Sequence, residues 1–400
     1  MTNTLYRSAL RDWNIAGKRV ILRADLNVPL NYETHDTHKT TIIDDFRLRS
    51  LLPTIDLILQ KQGSIILITH MGRPKKPTPS LSTSLLVPWF KEHNYDIAYA
   101  ATPAQVGLLH SPIILLENAR FFPGEKNQDP LFAQELASLG NYYVNDGFGV
   151  MHRKDTSIAI VPLLFSPEKR TYGLLVEKEL NMLTSLMKKP KKPFVLIVGG
   201  AKVAEKIALI EHMLPVIDSI LLCPPLVFTF NKALGKPIGN SLVDTTALNL
   251  CTRIMHEAHA KNIPLLFPSD YRVTTTTLDG PLLTTETDSI QKNETGVSIG
   301  PKTATLFEHT IQSAGTIFFN GAMGFINKPE TMRGMNALLE IIAQAQGTSI
   351  IAGGDSVAAV CKHGLKNHID YLSTGGGSAL AYMSGQQLPG LEALKKRAKT

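Results

Sequence analysis

Cysteine is scarce in this chain, and its scarcity removes several classes of protein at once. Only Cys223, Cys251 and Cys361 occur among 400 residues. They lie far apart and form no CxxC pair, so neither a zinc ribbon nor a disulfide framework is expected. Long apolar runs are missing too: no segment approaches the ~20 residues that span a bilayer. Residues 1–18 lack the apolar stretch of a secretory signal. The P-loop GxxxxGK[ST], a GxGxxG behind a strand, HExxH and the GxSxG elbow are all absent. Charge is not concentrated either. The net charge is +7, and the compact basic run at 188–192 reads as a solvated connection rather than a nucleic-acid or lipid patch. The expectation is a reduced, cytoplasmic protein that engages neither nucleic acid nor membrane.

What is present is an alternation of short apolar runs with helical patterns. Apolar residues make up 44% of the chain, ample for large cores. The alternation argues for βαβ units and parallel sheets, hence an α/β fold. Helices are expected over 132–139, 201–214 and 335–345. The stretch 177–189 reads as a helix between two halves, with Leu180, Leu183 and Met187 at helical spacing. Pro190 and Pro193 close it, because proline cannot continue a helix.

The apolar runs end differently in the two halves. In the first, the run from Ser64 leads to His70 and Arg73, that from Ile113 to Glu117 and Arg120, and that from Tyr142 to Asp146, His152 and Arg153. In the second, runs from Phe194, Ile317, Ser349 and Tyr371 stop at Gly199-Gly200, Gly321, Gly353-Gly354 and Gly375-Gly-Gly377. In open α/β sheets, ligands bind beyond the carboxyl ends of the strands. The first half therefore offers arginine and histidine to an anion, and the second offers backbone amides and lysines to phosphates. This is the pattern expected of a protein that holds two phosphorylated ligands, one on each half.

A single arginine at a strand end is ordinarily a surface ion pair. Recurrence argues otherwise for Arg23, Arg47, His70, Arg73, Arg120 and Arg153, several of which follow separate strands and would converge on one rim. The planar guanidinium fork suits carboxylate and phosphate. Asp25 and Asn27 are placed to receive hydroxyls of the same ligand. In 199–206, glycines at a strand-to-helix turn let backbone approach a phosphate. Lys202 and Lys206 lie four apart on one side of the new helix, while Val203, Ile207 and Ile210 face the core; solvated lysines are the competing reading. Gly353-Gly354-Asp355-Ser356 opens another helix, with Asp355 placed to hold a Mg²⁺ between phosphate oxygens or to serve only as an N-cap. His35, Asp36 and His38 belong to a polar loop over 31–41 that reads as a solvated insertion. Phosphate cradles without an evident base suit phosphoryl transfer, where catalysis is mostly positioning and charge neutralisation.

These segments carry a resemblance. Over nearly its whole length the chain resembles the phosphoglycerate kinases, in Arg23-Ala-Asp-Leu-Asn-Val-Pro-Leu30, Asp44-Asp-Phe-Arg47, His70-Met-Gly-Arg-Pro74, Glu117-Asn-Ala-Arg120, Pro123-Gly-Glu125, Val144-Asn-Asp146 and His152-Arg153. It continues through Gly199-Gly-Ala-Lys-Val203, Asn320-Gly321, Met323-Gly324, Gly353-Gly-Asp-Ser356 and Ser373-Thr-Gly-Gly-Gly377. The resemblance implies two doubly wound parallel-sheet domains joined by a helix, with a cleft between them that a hinge motion closes. The phosphoglycerate-binding domain would be 1–176, the interdomain helix 177–190 and the nucleotide-binding domain 191–379, with 380–400 packing back on the first. It also implies a cytoplasmic, glycolytic monomer. Its reaction would be reversible Mg²⁺-dependent transfer between ATP and the carboxylate of 3-phosphoglycerate, giving 1,3-bisphosphoglycerate and ADP. By position, Asp25, Asn27, Arg47, His70, Arg73, Arg120 and Arg153 match the phosphoglycerate-binding residues. Lys202, Lys206, Gly296, Asn320, Asn327, Gly353, Gly354, Asp355 and Ser356 match those that bind nucleotide, with Asp355 at the metal. Arg47 and Lys206 would neutralise the transferring group.

Departures from the family pattern cluster on the nucleotide side. Cys223-Pro-Pro-Leu-Val-Phe-Thr-Phe230 replaces a glycine-rich run, Asn327 a glutamate, Ser298 an aspartate and Ala352 a glycine. In the first half, Asp155 stands at a usual histidine position. These changes motivate an alternative, a non-catalytic relative that binds phosphoglycerate with an impaired nucleotide pocket. Lys206, Asp355 and the glycine loops oppose it.

Overall fold

The apolar runs form the interior strands of two parallel sheets. The computed structural model describes residues 6–32, 40–278 and 280–395, so His35, Asp36 and His38 lie outside the described residues. The chain divides into two compact units, Met1–Met182 with Gln387–Thr400, and Leu183–Gln386. Strands of the first unit are β1 (Arg19–Arg23), β2 (Leu30–Tyr32), β3 (Thr40–Ile42), β4 (Ser64–Ile68), β5 (Ile97–Ala100), β6 (Ile113–Leu116), β7 (Tyr142–Asn145) and β8 (Arg170–Tyr172). Six of them pair in parallel in the order β5-β6-β4-β1-β7-β8, while β2 and β3 form an antiparallel ribbon. Val20, Ile21 and Leu22 of β1 are wholly buried, as expected of a parallel strand covered on both faces. The chain winds from β1 outward to one edge, then returns to β7 and β8 at the other. That reversal leaves a crevice at the carboxyl ends of β1 and β7.

The second unit repeats the plan. Its strands are β9 (Phe194–Val198), β10 (Ser219–Leu222), β11 (Leu265–Leu266), β12 (Tyr271–Thr274), β13 (Leu283–Thr284), β14 (Thr295–Ile299), β15 (Thr316–Asn320), β16 (Thr348–Ala352) and β17 (Tyr371–Ser373). The parallel sheet runs β11-β10-β9-β15-β16-β17, with its reversal between β9 and β15. A separate antiparallel sheet, β13-β12-β14, is bulged at Arg272/Val273. The sequence reading gave parallel sheets only. It misses this sheet because β13 is two exposed residues, too short to show any period.

Helices cover the sheets with apolar stripes. In Phe46–Gln60, Leu48, Leu51, Ile55 and Ile58 are buried, the three-and-four spacing of one helix face. Each such side chain contributes about 1.5–3 kcal/mol when removed from water. The expected helices occur as Pro130–Ser138, Val203–Met213 and Arg333–Gln344. The first begins early because Asp129 caps it, accepting from Leu131 N at 2.8 Å, with Pro130 in the first turn. Among the described residues, no helix is long and apolar enough to cross a membrane.

Helix Leu174–Lys188 leads the chain from the first unit into the second and ends just before Pro190. Its start is held by a buried carboxylate. Asp146 accepts from Val176 N at 3.0 Å and Thr54 Oγ1 at 2.5 Å, and Thr54 Oγ1 in turn accepts from Leu174 N at 2.9 Å. The returning C-terminal segment is tied to the first unit by Gly390 N donating to Met151 O at 2.9 Å and Arg170 Nη2 donating to Lys395 O at 3.0 Å. Helix Gly377–Met383 instead packs on Val203–Met213 inside the second unit.

Burial pushes Asp146 up from 3.8 to about 7. The folded state therefore keeps this proton to higher pH than the unfolded chain does. The stability it contributes is present at acid pH and is lost as pH rises from 3.8 to about 7. Asp146→Asn should flatten the fall of urea-unfolding free energy across that window, by up to about 1.4 kcal/mol per pH unit. Equal slopes in both proteins would show that another group titrates.

Candidate active site

In the first unit the candidate site forms where β1 and β7 end. Arg47, in the first turn of Phe46–Gln60, donates from Nη1 to Asp25 Oδ2 at 2.8 Å and to Asn27 O at 3.3 Å. Asn27 Oδ1 accepts from Gly72 N at 2.8 Å, which joins this corner to the loop after β4. His70, on that loop, is buried with Nδ1 3.9 Å from Asp25 Oδ1 and without a hydrogen-bond partner. Arg120 donates from Nη1 to Gly72 O. Its Nε and Nη2 are buried and unpartnered. Asp25, Asn27, Arg47, His70 and Arg120 are thus assembled by direct contacts around Gly72.

Electrostatics sort these groups into two kinds. His70 is held well below the usual histidine range by burial first, then by Arg23, Arg153, Arg47 and Lys126. It is a neutral hydrogen-bonding group at pH 7 rather than another cation. Arg153 is half-buried; burial lowers its pKa, Asp155 and Asp25 raise it, and Arg73 and Arg23 lower it again. Arg73 is exposed beside Gly72. A buried donor left unsatisfied costs about 1–3 kcal/mol. A ligand bearing several anionic oxygens would supply what His70 and Arg120 lack.

Arg23 requires a correction. The sequence reading put it on the anion-facing rim, but its side chain is wholly buried, with Nε donating to Ser157 Oγ at 2.8 Å. Ser157 in turn donates from Oγ at 2.6 Å and from N at 2.9 Å to the buried carboxylate of Glu125. Arg23 is the last residue of β1, and its neighbours β4 and β7 cover it from both sides. Lys126 and Ser157 were not singled out from sequence. Their partners lie from 29 to 134 positions away, and no local motif signals such pairs.

In the second unit the ends of β9 and β15 meet. Gly321 has φ of +109°, and a Cβ there would lie 2.0 Å from Gly199 O, so glycine alone permits this approach of two backbones. Helix Val203–Met213 starts just beyond Gly199-Gly200. Its Lys206 is buried and donates from Nζ to Asn320 Oδ1, while Asn320 Nδ2 donates to Ala352 O at 3.0 Å. After Ala352, Gly353 takes φ of +108° and helix Gly354–Lys362 begins. Ser356 Oγ of that helix accepts from Gly321 N at 3.3 Å. Asn320 therefore links the lysine, both strand ends and the second helix start. Free amides at two helix N-termini beside a lysine make an anion cradle. Asp355 is exposed in the first turn.

Lys202 also departs from expectation. The helix begins at Val203, so Lys202 precedes it, stands 74% exposed and pairs with Glu205 at 3.0 Å. Lys206 faces inward instead, and burial pushes its pKa down to about 8. Gly296 lies on β14, its N donating to Ser241 Oγ at 2.8 Å. Asn327 is exposed in the loop after β15. Neither is hydrogen-bonded to the Lys206–Asn320 group. A hollow of about 280 Å³ adjoins the cradle, lined by Ala201, Val203, Pro225, Thr229, Leu242 and Asp244 among others. A hollow of about 830 Å³ in the first unit is lined by none of the candidate residues. The acid in its wall, Glu117, already accepts from Ser82, Thr83, Tyr99 and Asn118.

Residues 10–386 match the family model described as phosphoglycerate kinase. The chain is 38% identical to a phosphoglycerate kinase of Dictyoglomus turgidum, over 97% of this chain and 98% of that one. It is 38% identical to the cytosolic phosphoglycerate kinase 3 of Arabidopsis thaliana, over 96% of this chain and 97% of that one. Among solved structures, the phosphoglycerate kinase of Coxiella burnetii superposes with a TM-score of 0.80 at 30% identity, covering 97% of this chain and 98% of that one. That of Pyrococcus horikoshii gives a TM-score of 0.81 at 25% identity, covering 96% and 98%.

Lys206 supplies a test of the cradle. Its ammonium is charged below about 8 and neutral above, so a polyphosphate bound there should be released as pH rises through that value. Calorimetric titration with pyrophosphate from pH 7 to pH 9 should show a rising Kd, and Lys206→Met should weaken binding and lose this trend. An unchanged trend in the variant would remove Lys206 from the cradle.

Proposed function

The chain belongs to the phosphoglycerate kinase family, and we propose that it transfers a phosphoryl group reversibly between ATP and the carboxylate of 3-phosphoglycerate, giving ADP and 1,3-bisphosphoglycerate. The observation that carries this reading is the presence of two unlike anion sites in one chain. One is a guanidinium cluster with buried, unpartnered N–H groups around Gly72. The other is an amide-and-lysine cradle around Asn320.

The first site suits phosphoglycerate. Arg120, Arg153 and Arg73 meet its phosphate and carboxylate, His70 adds a neutral donor, and Asp25 and Asn27 take its hydroxyl. A carboxylate acceptor carries no proton, so the reaction needs no general base. The second site suits the phosphates of a nucleotide. Amides around Gly353, Gly354 and Ser356 hold them, and Lys206 becomes fully charged as they arrive. Lys202, paired with Glu205, and Asn327 are both exposed and would turn to the same ligand. The hollow beside Ala201 takes the base, and Pro225 gives it a rigid apolar wall in place of an open amide; Gly296, packed on Phe228, backs this region. Arg47 and Lys206 neutralise the transferring group, the main catalytic need in phosphoryl transfer.

Mg²⁺ fits this donor set. Asp355 presents one exposed carboxylate beside the glycines, and Mg²⁺ is usually held by one or two carboxylates together with phosphate oxygens. When bound, the ion would screen phosphate charge. We assign the protein to the cytoplasm as a monomer. No observation favours a non-catalytic binding protein, because the Lys206–Asn320–Ala352 contacts are intact despite the altered residues nearby.

Arg47→Ala should lower kcat by about 10²–10³-fold and lower unfolding free energy by about 1–3 kcal/mol, since it leaves the buried Asp25 carboxylate without its partner. A coupled assay of ADP formation, repeated with EDTA and with Mg²⁺ restored, checks both Arg47 and the ion. Unaltered turnover in the variant would remove Arg47 from the reaction.

A further inference from the structure

Asp155 is an aspartate at a helix start that does not cap the helix. It stands at the N-cap of Thr156–Ala159, where aspartate normally accepts from free amides, yet its side chain makes no capping hydrogen bond. It turns toward cations instead. Oδ1 lies 2.9 Å from Lys126 Nζ, and Oδ2 lies 3.7 Å from Arg120 Nη2. Both Oδ2 and Arg120 Nη2 are buried and lack a hydrogen-bond partner. Opposite charges thus face each other in the site without closing a bond. Lys126 is different in kind: its side chain is 52% exposed, and it touches Asp155 rather than Arg120.

We propose that Asp155 is a specificity-determining residue of the acceptor site, an internal counter-anion that competes with the bound acceptor for Arg120 and is restrained from doing so by Lys126. This rests on the assignment of the Arg120 cluster to phosphoglycerate. A carboxylate held near an arginine offsets part of the attraction that a ligand anion would feel. Because Lys126 holds Oδ1, Oδ2 stops short of Arg120 and the guanidinium keeps Nε and Nη2 available for the ligand. Removing the charge of Asp155 makes the site more positive. Removing that of Lys126 makes it more negative and frees the carboxylate to close on Arg120. The two substitutions break the same ion pair yet should act in opposite directions. A pair that served only the fold would shift both variants the same way.

The test is calorimetric titration of the full chain, without nucleotide, using 3-phosphoglycerate and separately inorganic sulfate, with thermal melts alongside. Asp155→Asn should lower the Kd for 3-phosphoglycerate about tenfold and Lys126→Met should raise it about tenfold. The double variant should return near the parent value. Shifts of the same sign, or an unchanged Kd in a cooperatively melting Asp155→Asn protein, would overturn the proposal. A parent protein that binds sulfate but not 3-phosphoglycerate would sink the acceptor assignment alone. The sulfate shifts would then decide the role of Asp155, since only sulfate bound by the first unit responds to these substitutions.

Discussion

Cations held out of water without a full set of partners are the constraint around which both candidate sites are built. A buried charge is tolerated only when it is paired and hydrogen-bonded, and this chain leaves several pairings incomplete. Arg120 keeps two buried nitrogens unpartnered, and Lys206 is held by the amide oxygen of Asn320 rather than by a carboxylate. Burial, the first cause, shows in the titration of His70 and Lys206. His70 is driven to its neutral form, and the ammonium of Lys206 drops to about 8. On the proposed function, ligand phosphates would complete these pairings, with binding energy concentrated on groups that are already in position.

Backbone geometry makes that arrangement possible. In the second unit, Gly199 and Gly321 let adjacent strands end in close contact, which brings Asn320 under Lys206 and the start of helix Gly354–Lys362 against Gly321. In the first unit, Gly72 serves as donor to Asn27 and as acceptor for Arg120, so one residue orients both sides of the pocket. Behind it, the wholly buried Arg23 donates from Nε to Ser157, which is held in turn by Glu125, while its Nη2 has no hydrogen-bond partner. That interior layer supports the pocket without facing the ligand.

Much of this was legible in the sequence because strand ends announce themselves. Apolar runs stopping at glycine or at basic residues mark both sheets, and Asp25, Asn27, Arg47, His70 and Arg120 are readable from the sequence as candidate residues of one site. What was not legible depends on long-range packing. Nothing in the spacing of Lys202 and Lys206 reveals that a helix starting one residue later leaves the first exposed and buries the second. Arg23 has the same local signature as the rim arginines, and only its central place in the sheet separates it from them. The antiparallel sheet of β12, β13 and β14 was hidden because β13 is two exposed residues, too short to carry a pattern.

The most direct test of the account is nucleoside diphosphate release from Mg²⁺-ATP with and without 3-phosphoglycerate. The account predicts release that depends on the acceptor and yields an acyl phosphate that hydroxylamine traps. Nucleotide cleavage at the same rate without acceptor, or none in a folded protein that binds both ligands, would contradict it.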